Sequence, residues 1–223
     1  MRIELPSGTP AEITSPAEGS PTMGLVIAPD IFGLRPLYDD LVARLANEWS
    51  MTVCAVEPFP GRGLGPEIEP RFAAVPTIDD VLHLRDLEEA ADAVAAAAGV
   101  ERVGLLGFCL GGMYCHKATR SDRFARIVSF YGMIRLPDGW KSPTQAEPLE
   151  LLANGNPESV LAIVGDRDTY TPSDAVDTLE ATGVTVVRYP DAEHGFAHDP
   201  SRPAHRPADA ADAFTRAHAW LLG

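Results

Sequence analysis

The chain has 223 residues with 32 Asp and Glu against 18 Lys and Arg, a formal net charge of -14; its mean field repels phosphate backbones and anionic lipid surfaces, and no Lys/Arg cluster offsets this locally. Nucleic-acid and membrane partners are excluded on that ground, and a composition that is 45% hydrophobic and 22% charged belongs to a folded chain and not a disordered one. The length suffices for one core and requires no second, so a single domain over residues 1–223 is expected.

The opening residues, MRIELPSGTP, lack the basic and apolar regions of a signal peptide, and no later run reaches the length of a membrane span, which predicts a cytoplasmic location. The first short apolar run, residues 25–28, reads as a buried strand and leads into APDIFG at 28–33. Leu37, Leu41, Leu45 and Trp49 then recur at four-residue spacing, the stripe of an amphipathic helix. A second strand, 52–56, carries Cys54 as a small buried residue. The stretch PFPGRGLGPEIEPRFAAVP, residues 58–76, reads as a long surface loop bordering a pocket. Leu84, Leu87, Ala91 and Val94 mark a further helix that Gly99 closes, with Asp79-Asp80 and Glu88-Glu89 as helix-start and surface charges.

Strand 103–106 runs into GFCLGG, residues 107–112, and then into a helix from Met113, the setting of a nucleophile elbow with Cys109 where a serine usually stands. Gly107 and Gly111 relieve crowding two residues to either side of a strained nucleophile. A thiol at a helix start also faces unpaired N–H groups and the positive end of the dipole, which favours the thiolate. Cys115 reads as buried on that helix.

Strand 127–130 ends at Tyr131, which reads equally as a pocket-lining and as a core residue. Strand 160–164 is followed by GDRDTYTP, where either Asp166 or Asp168 could face a site, and strand 184–187 by a loop holding His194. His83, His116, His205 and His218 read as residues of solvated faces. A last helix, 208–222, begins after Pro207 and carries Phe214, Ala217 and Leu221 on one stripe. The alternation predicts an α/β fold, a mostly parallel sheet with helices on both faces and sites at the carboxyl ends of strands. Cysteine, aspartate and histidine come in the chain order of α/β-hydrolase triads: a thiol to attack, an imidazole to move protons, a carboxylate to set its tautomer. The three cysteines have no metal-ligand spacing, and no metal or cofactor is implied.

Four blocks, APDIFG (28–33), GFCLGG (107–112), GDRDTYTP (165–172) and AEHGFAHD (192–199), resemble the dienelactone hydrolase family, and the likeness covers residues 23–222. The resemblance implies the α/β-hydrolase fold and hydrolysis of a small ester or lactone of the carboxymethylenebutenolide type through an acyl-thiol intermediate. It puts the triad carboxylate on Asp168, four residues before Pro172, with Cys109 as nucleophile and His194 as base and acid. The N–H groups of Leu110 and Ile31 would hold the oxyanion. Where the family has a glutamate that contacts the resting thiol, this chain has Asp30, a thiol-activating carboxylate of shorter reach. Of two family arginines that hold the lactone's carboxylate, Arg71 stands for the first, and His198, a poorer anion clamp, occupies the place of the second. Tyr131 completes the expected substrate contacts; Arg202, in the Pro-rich loop, is a substitute charge outside that expected set. A monomer or small homo-oligomer is expected.

Competing readings use the same residues. A glutamine amidotransferase expects His-x-Glu where this chain has His194-Gly195-Phe196, and a binding module on the same scaffold has no need of Cys109, Asp168 and His194 together. A carboxylesterase or thioesterase of unrelated substrate is a further alternative for the same triad.

Overall fold

The structure is a computed structural model describing residues 1–223. Its strands are β1 (Arg2–Glu4), β2 (Pro10–Thr14), β3 (Gly24–Ala28), β4 (Thr52–Val56), β5 (Val103–Phe108), β6 (Arg126–Phe130), β7 (Val160–Gly165) and β8 (Thr185–Tyr189). They form one sheet in the order β1-β2-β4-β3-β5-β6-β7-β8, antiparallel at β1/β2 and β2/β4 and parallel elsewhere. Every residue of β3, β4, β5 and β7 is buried, as strands covered on both faces require.

The covering helices are α1 (Pro36–Trp49), α2 (Ile68–Ala74), α3 (Asp80–Ala98), α4 (Leu110–Lys117), α5 (Pro148–Ala153), α6 (Ser173–Glu180) and α7 (Pro207–Leu222). Side chains alternate along each strand, so β3 sends Val26 and Ala28 into a core shared with α3, α4 and α6 and Leu25 and Ile27 into a core shared with α1 and α7. The Asp79 carboxylate accepts from the N–H groups of Val81 and Leu82, and Gly99, at φ 67°, ends α3, as the sequence predicts. No helix is long and apolar enough to cross a membrane.

The six predicted strands are all present. The structure adds β1 and β2, whose residues Arg2, Glu4 and Glu12 give no apolar run to read, and α2, a short helix inside the expected loop. Asp80 opens α3 as expected of a helix-start charge but is buried there, and the solvated faces expected for His83 and His116 are overturned. Asp80 is buried and accepts both contacts of Lys117 Nζ at 2.9 Å, with a third bond from the Tyr114 hydroxyl at 2.9 Å; a buried cation needs such a partner. His83 and His116 are buried as well, and burial pulls both imidazoles down to about 4.

The turn between β5 and α4 positions the site. Cys109 has φ 54° and ψ -112°, a strained conformation costing about 1–3 kcal/mol that the surroundings must impose. They do so through three backbone bonds: Cys109 N–H to the Phe130 carbonyl (3.1 Å), Met113 N–H to the Cys109 carbonyl (2.9 Å) and Gly111 N–H to the Pro29 carbonyl (3.0 Å). The backbone approach leaves no room for side chains: a Cβ on Gly111 would sit 1.9 Å from the Ala28 carbonyl oxygen, and one on Gly107 would sit 2.3 Å from that of Gly111. Gly111→Ala should therefore destabilise the fold by about 3 kcal/mol or more. Gly139→Ala, whose Cβ would meet nothing within 4 Å, should stay within about 0.5 kcal/mol of wild type; urea unfolding of the two variants checks this.

Candidate active site

The three predicted triad positions lie at the carboxyl ends of β5, β7 and β8. The loop after β7 turns Asp168 inward: its N–H donates to the Gly165 carbonyl at 3.1 Å, and its Oδ1 accepts from Tyr170 N–H at 2.8 Å. Its Oδ2 meets His194 Nδ1 at 2.7 Å, with the Asp168 side chain fully enclosed and that of His194 13% exposed. Asp166, the other candidate from sequence, is 39% exposed and faces Arg188 on the outside. Burial alone would draw the His194 pKa down, but the charge of the Cys109 sulfur, then the Asp168 hydrogen bond, push it up to about 10. With Nδ1 held by Asp168, the other ring nitrogen is left for Cys109, which lines the same cavity. The imidazole is packed edge-on against Tyr131, ring centres 5.3 Å apart, and at a tilt against Tyr170, ring centres 4.8 Å apart.

Cys109 and His194 open into a cavity of about 300 Å³ whose walls are mostly apolar, with Ile68 and Phe72 from α2, Phe32 and Trp140. Two larger open grooves, 690 Å³ between α1 and α7 and 840 Å³ beside the start of α3, contain none of Cys109, Asp168 and His194. Ile31 lines the cavity, and its N–H has no acceptor within the protein. Leu110 is the first residue of α4, where N–H groups precede any intrahelical partner. Both predicted oxyanion donors are thus attached to backbone flanking Cys109.

The polar residues around the cavity are arranged differently from the sequence expectation. His198 is buried, with Nδ1 2.5 Å from the Tyr131 hydroxyl and Nε2 donating to Asp30 Oδ2 at 2.8 Å, so it contacts no substrate. Tyr131 is likewise fully buried and supports His194 from behind instead of lining the cavity. Arg71 spends its guanidinium on main-chain carbonyls: Nε to Gly65 (2.9 Å), Nη1 to Ile31 (3.0 Å) and Nη2 to Leu64 (2.8 Å). It is not a cavity residue.

Asp30 borders the cavity, but its carboxylate is fully engaged elsewhere. Oδ1 accepts from Phe32 N–H (3.0 Å) and Arg35 Nη1 (2.7 Å), and Oδ2 from Arg35 Nη2 (2.9 Å) and His198 Nε2. Burial would raise its pKa, yet His198 and Arg35 together hold it well below the usual carboxylate range. Its four hydrogen bonds leave none for Cys109, so the expected thiol contact is absent. The sequence missed Arg35, whose partnership with Asp30 depends on the turn between them, and undervalued Arg202. The Arg202 guanidinium lies over Gly195, lines the cavity and has no hydrogen-bond or ion-pair partner.

The dienelactone hydrolase family model matches residues 10–222. The chain belongs to the dienelactone hydrolase family. A carboxymethylenebutenolidase of Rhodococcus opacus is 30% identical over 81% of this chain and 73% of its own length. A Bradyrhizobium protein named probable 2-oxo-3-(5-oxofuran-2-ylidene)propanoate lactonase is 27% identical over 88% of this chain and 82% of its own. The crystal structure of a candidate dienelactone hydrolase from Klebsiella pneumoniae superposes with a TM-score of 0.89 at 26% identity, covering 100% of this chain and 97% of that one. This member of the dienelactone hydrolase family is accordingly a hydrolase of ester or lactone bonds on an α/β-hydrolase fold. No group of three or more His, Cys, Asp or Glu side chains converges as a metal site.

The state of Asp30 sets a pH dependence. Its pKa in the folded protein lies below the ordinary 3.8, so the pairing stabilises fully above pH 3.8 and is lost as pH falls through the lower folded value. Asp30→Asn should cost about 3–5 kcal/mol at pH 7, because it leaves Arg35 without its buried partner. The gap between variant and wild type should narrow below pH 3.8 in urea-unfolding measurements.

Proposed function

We propose that this hydrolase opens a small ester or lactone bearing a carboxylate, with Cys109 as nucleophile, His194 as proton carrier, Asp168 as its orienting partner and Arg202 as the anion contact. The carrying observation is the 2.7 Å pair of Asp168 and His194 beside Cys109, in a cavity where Arg202 is the only lysine or arginine.

The reaction follows from the placement of the proton. With His194 protonated, the Cys109 thiolate adds to the substrate carbonyl carbon, and the negative charge moves to the carbonyl oxygen. The N–H groups of Leu110 and Ile31 stabilise that oxygen more in the tetrahedral state than in the planar ester. Collapse breaks the C–O bond, and the leaving oxygen takes the proton from His194, giving an acyl-thiol and a neutral imidazole. Water then gives a proton to the imidazole as its oxygen adds to the acyl carbon. The second collapse releases the acid and restores thiolate and imidazolium. Asp168 holds the ring through Nδ1 and favours its charged form at both stages.

The substrate class rests on charge and shape. Against a net charge of -14, an anion is drawn in only by a local cation, and Arg202 offers an unpaired guanidinium between apolar walls. The names of the two relatives each describe an oxygen-ring lactone bearing a carboxyl group. The single domain and a monomeric or small homo-oligomeric state are part of the same reading.

Two esters of equal size, one neutral and one with a terminal carboxylate, test it. Cys109→Ala should lower kcat/KM on both by at least about 1,000-fold. Arg202→Leu should raise KM for the carboxylate ester by about 10- to 100-fold, the loss of a charge-assisted contact, and leave the neutral ester nearly unchanged. Equal losses on both esters would remove the anion role, and hydrolysis untouched by Cys109→Ala would remove the thiol mechanism.

A further inference from the structure

The segment carrying the Ile31 oxyanion donor is held on every side but one. Asp30 N–H donates to the Tyr38 hydroxyl at 2.7 Å, and the Asp30 carbonyl accepts from Gly33 N–H at 3.0 Å. Arg35 and His198 fix the Asp30 carboxylate, which in turn accepts from Phe32 N–H. The Ile31 carbonyl accepts from Arg71 Nη1 at 3.0 Å. Among the backbone polar atoms of Asp30 and Ile31, only the Ile31 N–H is unpaired, in a residue that is just 4% exposed. Buried N–H groups are rarely left so without a reason.

Resting on the thiol-hydrolase reading above, we propose that Arg71 is a positioning residue for the oxyanion hole: it ties α2 to the Ile31 carbonyl and so fixes the direction of the Ile31 N–H. The same guanidinium gathers the Leu64 and Gly65 carbonyls and stacks over the Phe32 ring at 5.6 Å. It therefore sets the chain before α2 and the oxyanion segment in one arrangement. Ile68 and Phe72, three before and one after Arg71 on or beside that helix, form the cavity wall. A substrate body pressed against Ile68 and Phe72 thus acts on the element that aims the donor, and binding energy remote from the ester bond is expressed in the tetrahedral state. Arg71 touches neither substrate nor the reacting atoms.

The test compares two reactions of the same thiol. Acylation by p-nitrophenyl acetate builds an oxyanion; alkylation by iodoacetamide builds none. Arg71→Ala should lower kcat for the neutral and the carboxylate ester alike by about 100-fold, with KM changed less than threefold or so, and should leave the rate of Cys109 alkylation at the wild-type value. Arg71→Lys, which can still reach the Ile31 carbonyl with one donor, should recover part of kcat. A rise in KM confined to the carboxylate ester, with kcat intact, would make Arg71 a substrate clamp and overturn the proposal. So would a fall in alkylation equal to the fall in acylation, which marks general disruption. If wild type and Cys109→Ala hydrolyse equally, the thiol-hydrolase reading fails and this proposal with it; if only the Arg71 variants keep full kcat, the reading stands and the proposal alone is lost.

Discussion

The hydrogen bond from Gly111 N–H to the Pro29 carbonyl at 3.0 Å is the contact on which the site's geometry depends. It joins the turn carrying the thiol to the turn after β3, so the candidate nucleophile and the free N–H of Ile31 face a common space. Neither turn could approach the other if Gly111 had a side chain, since its Cβ would overlap the Ala28 carbonyl. The strained backbone of Cys109 is the cost of this approach, and the parallel pairing of β3, β5 and β6 holds both turns at the carboxyl end of the sheet. Core packing on two faces thus fixes loop geometry at the strand ends.

Three arginines near the site show why residue type alone does not settle a role. Arg35 is committed to a buried carboxylate; Arg71 is committed to backbone carbonyls; Arg202 is uncommitted and faces the cavity. All have the same charge, but only an unsaturated guanidinium in a partly dry pocket gains by meeting an anion. The Asp30 carboxylate obeys the same logic from the other side. Four hydrogen bonds make it a structural anchor of the turn after β3, and its side chain is satisfied without the thiol.

Much of this was legible in the sequence, for physical reasons. Buried parallel strands appear as uninterrupted Val, Ile and Leu runs, so the inner strands could be read directly, as could the elbow glycines and the order of Cys109, Asp168 and His194. The edge hairpin of β1 and β2 could not, because Arg2, Glu4 and Glu12 interrupt any apolar run there even though the middle of β2 is buried. Residues alone left Asp166 and Asp168 equivalent, since a turn of tight backbone bonds decides which one points inward. His198 looked like a pocket residue by position, yet its two nitrogens close a buried chain between Asp30 and Tyr131. Arg202 reaches the cavity only because the Pro-rich loop folds back over Gly195, a contact no spacing rule announces.

The most direct measurement is the mass of the protein after rapid acid quench during turnover of a slowly released acyl group, such as p-nitrophenyl pivalate, with peptide mapping of the product. An acyl-thiol route requires one equivalent of nitrophenolate in the burst and one pivaloyl group on the peptide containing Cys109. A one-equivalent burst with Cys109 unmodified, or with the acyl group on another residue, would mean that the thiol at the elbow is not the nucleophile.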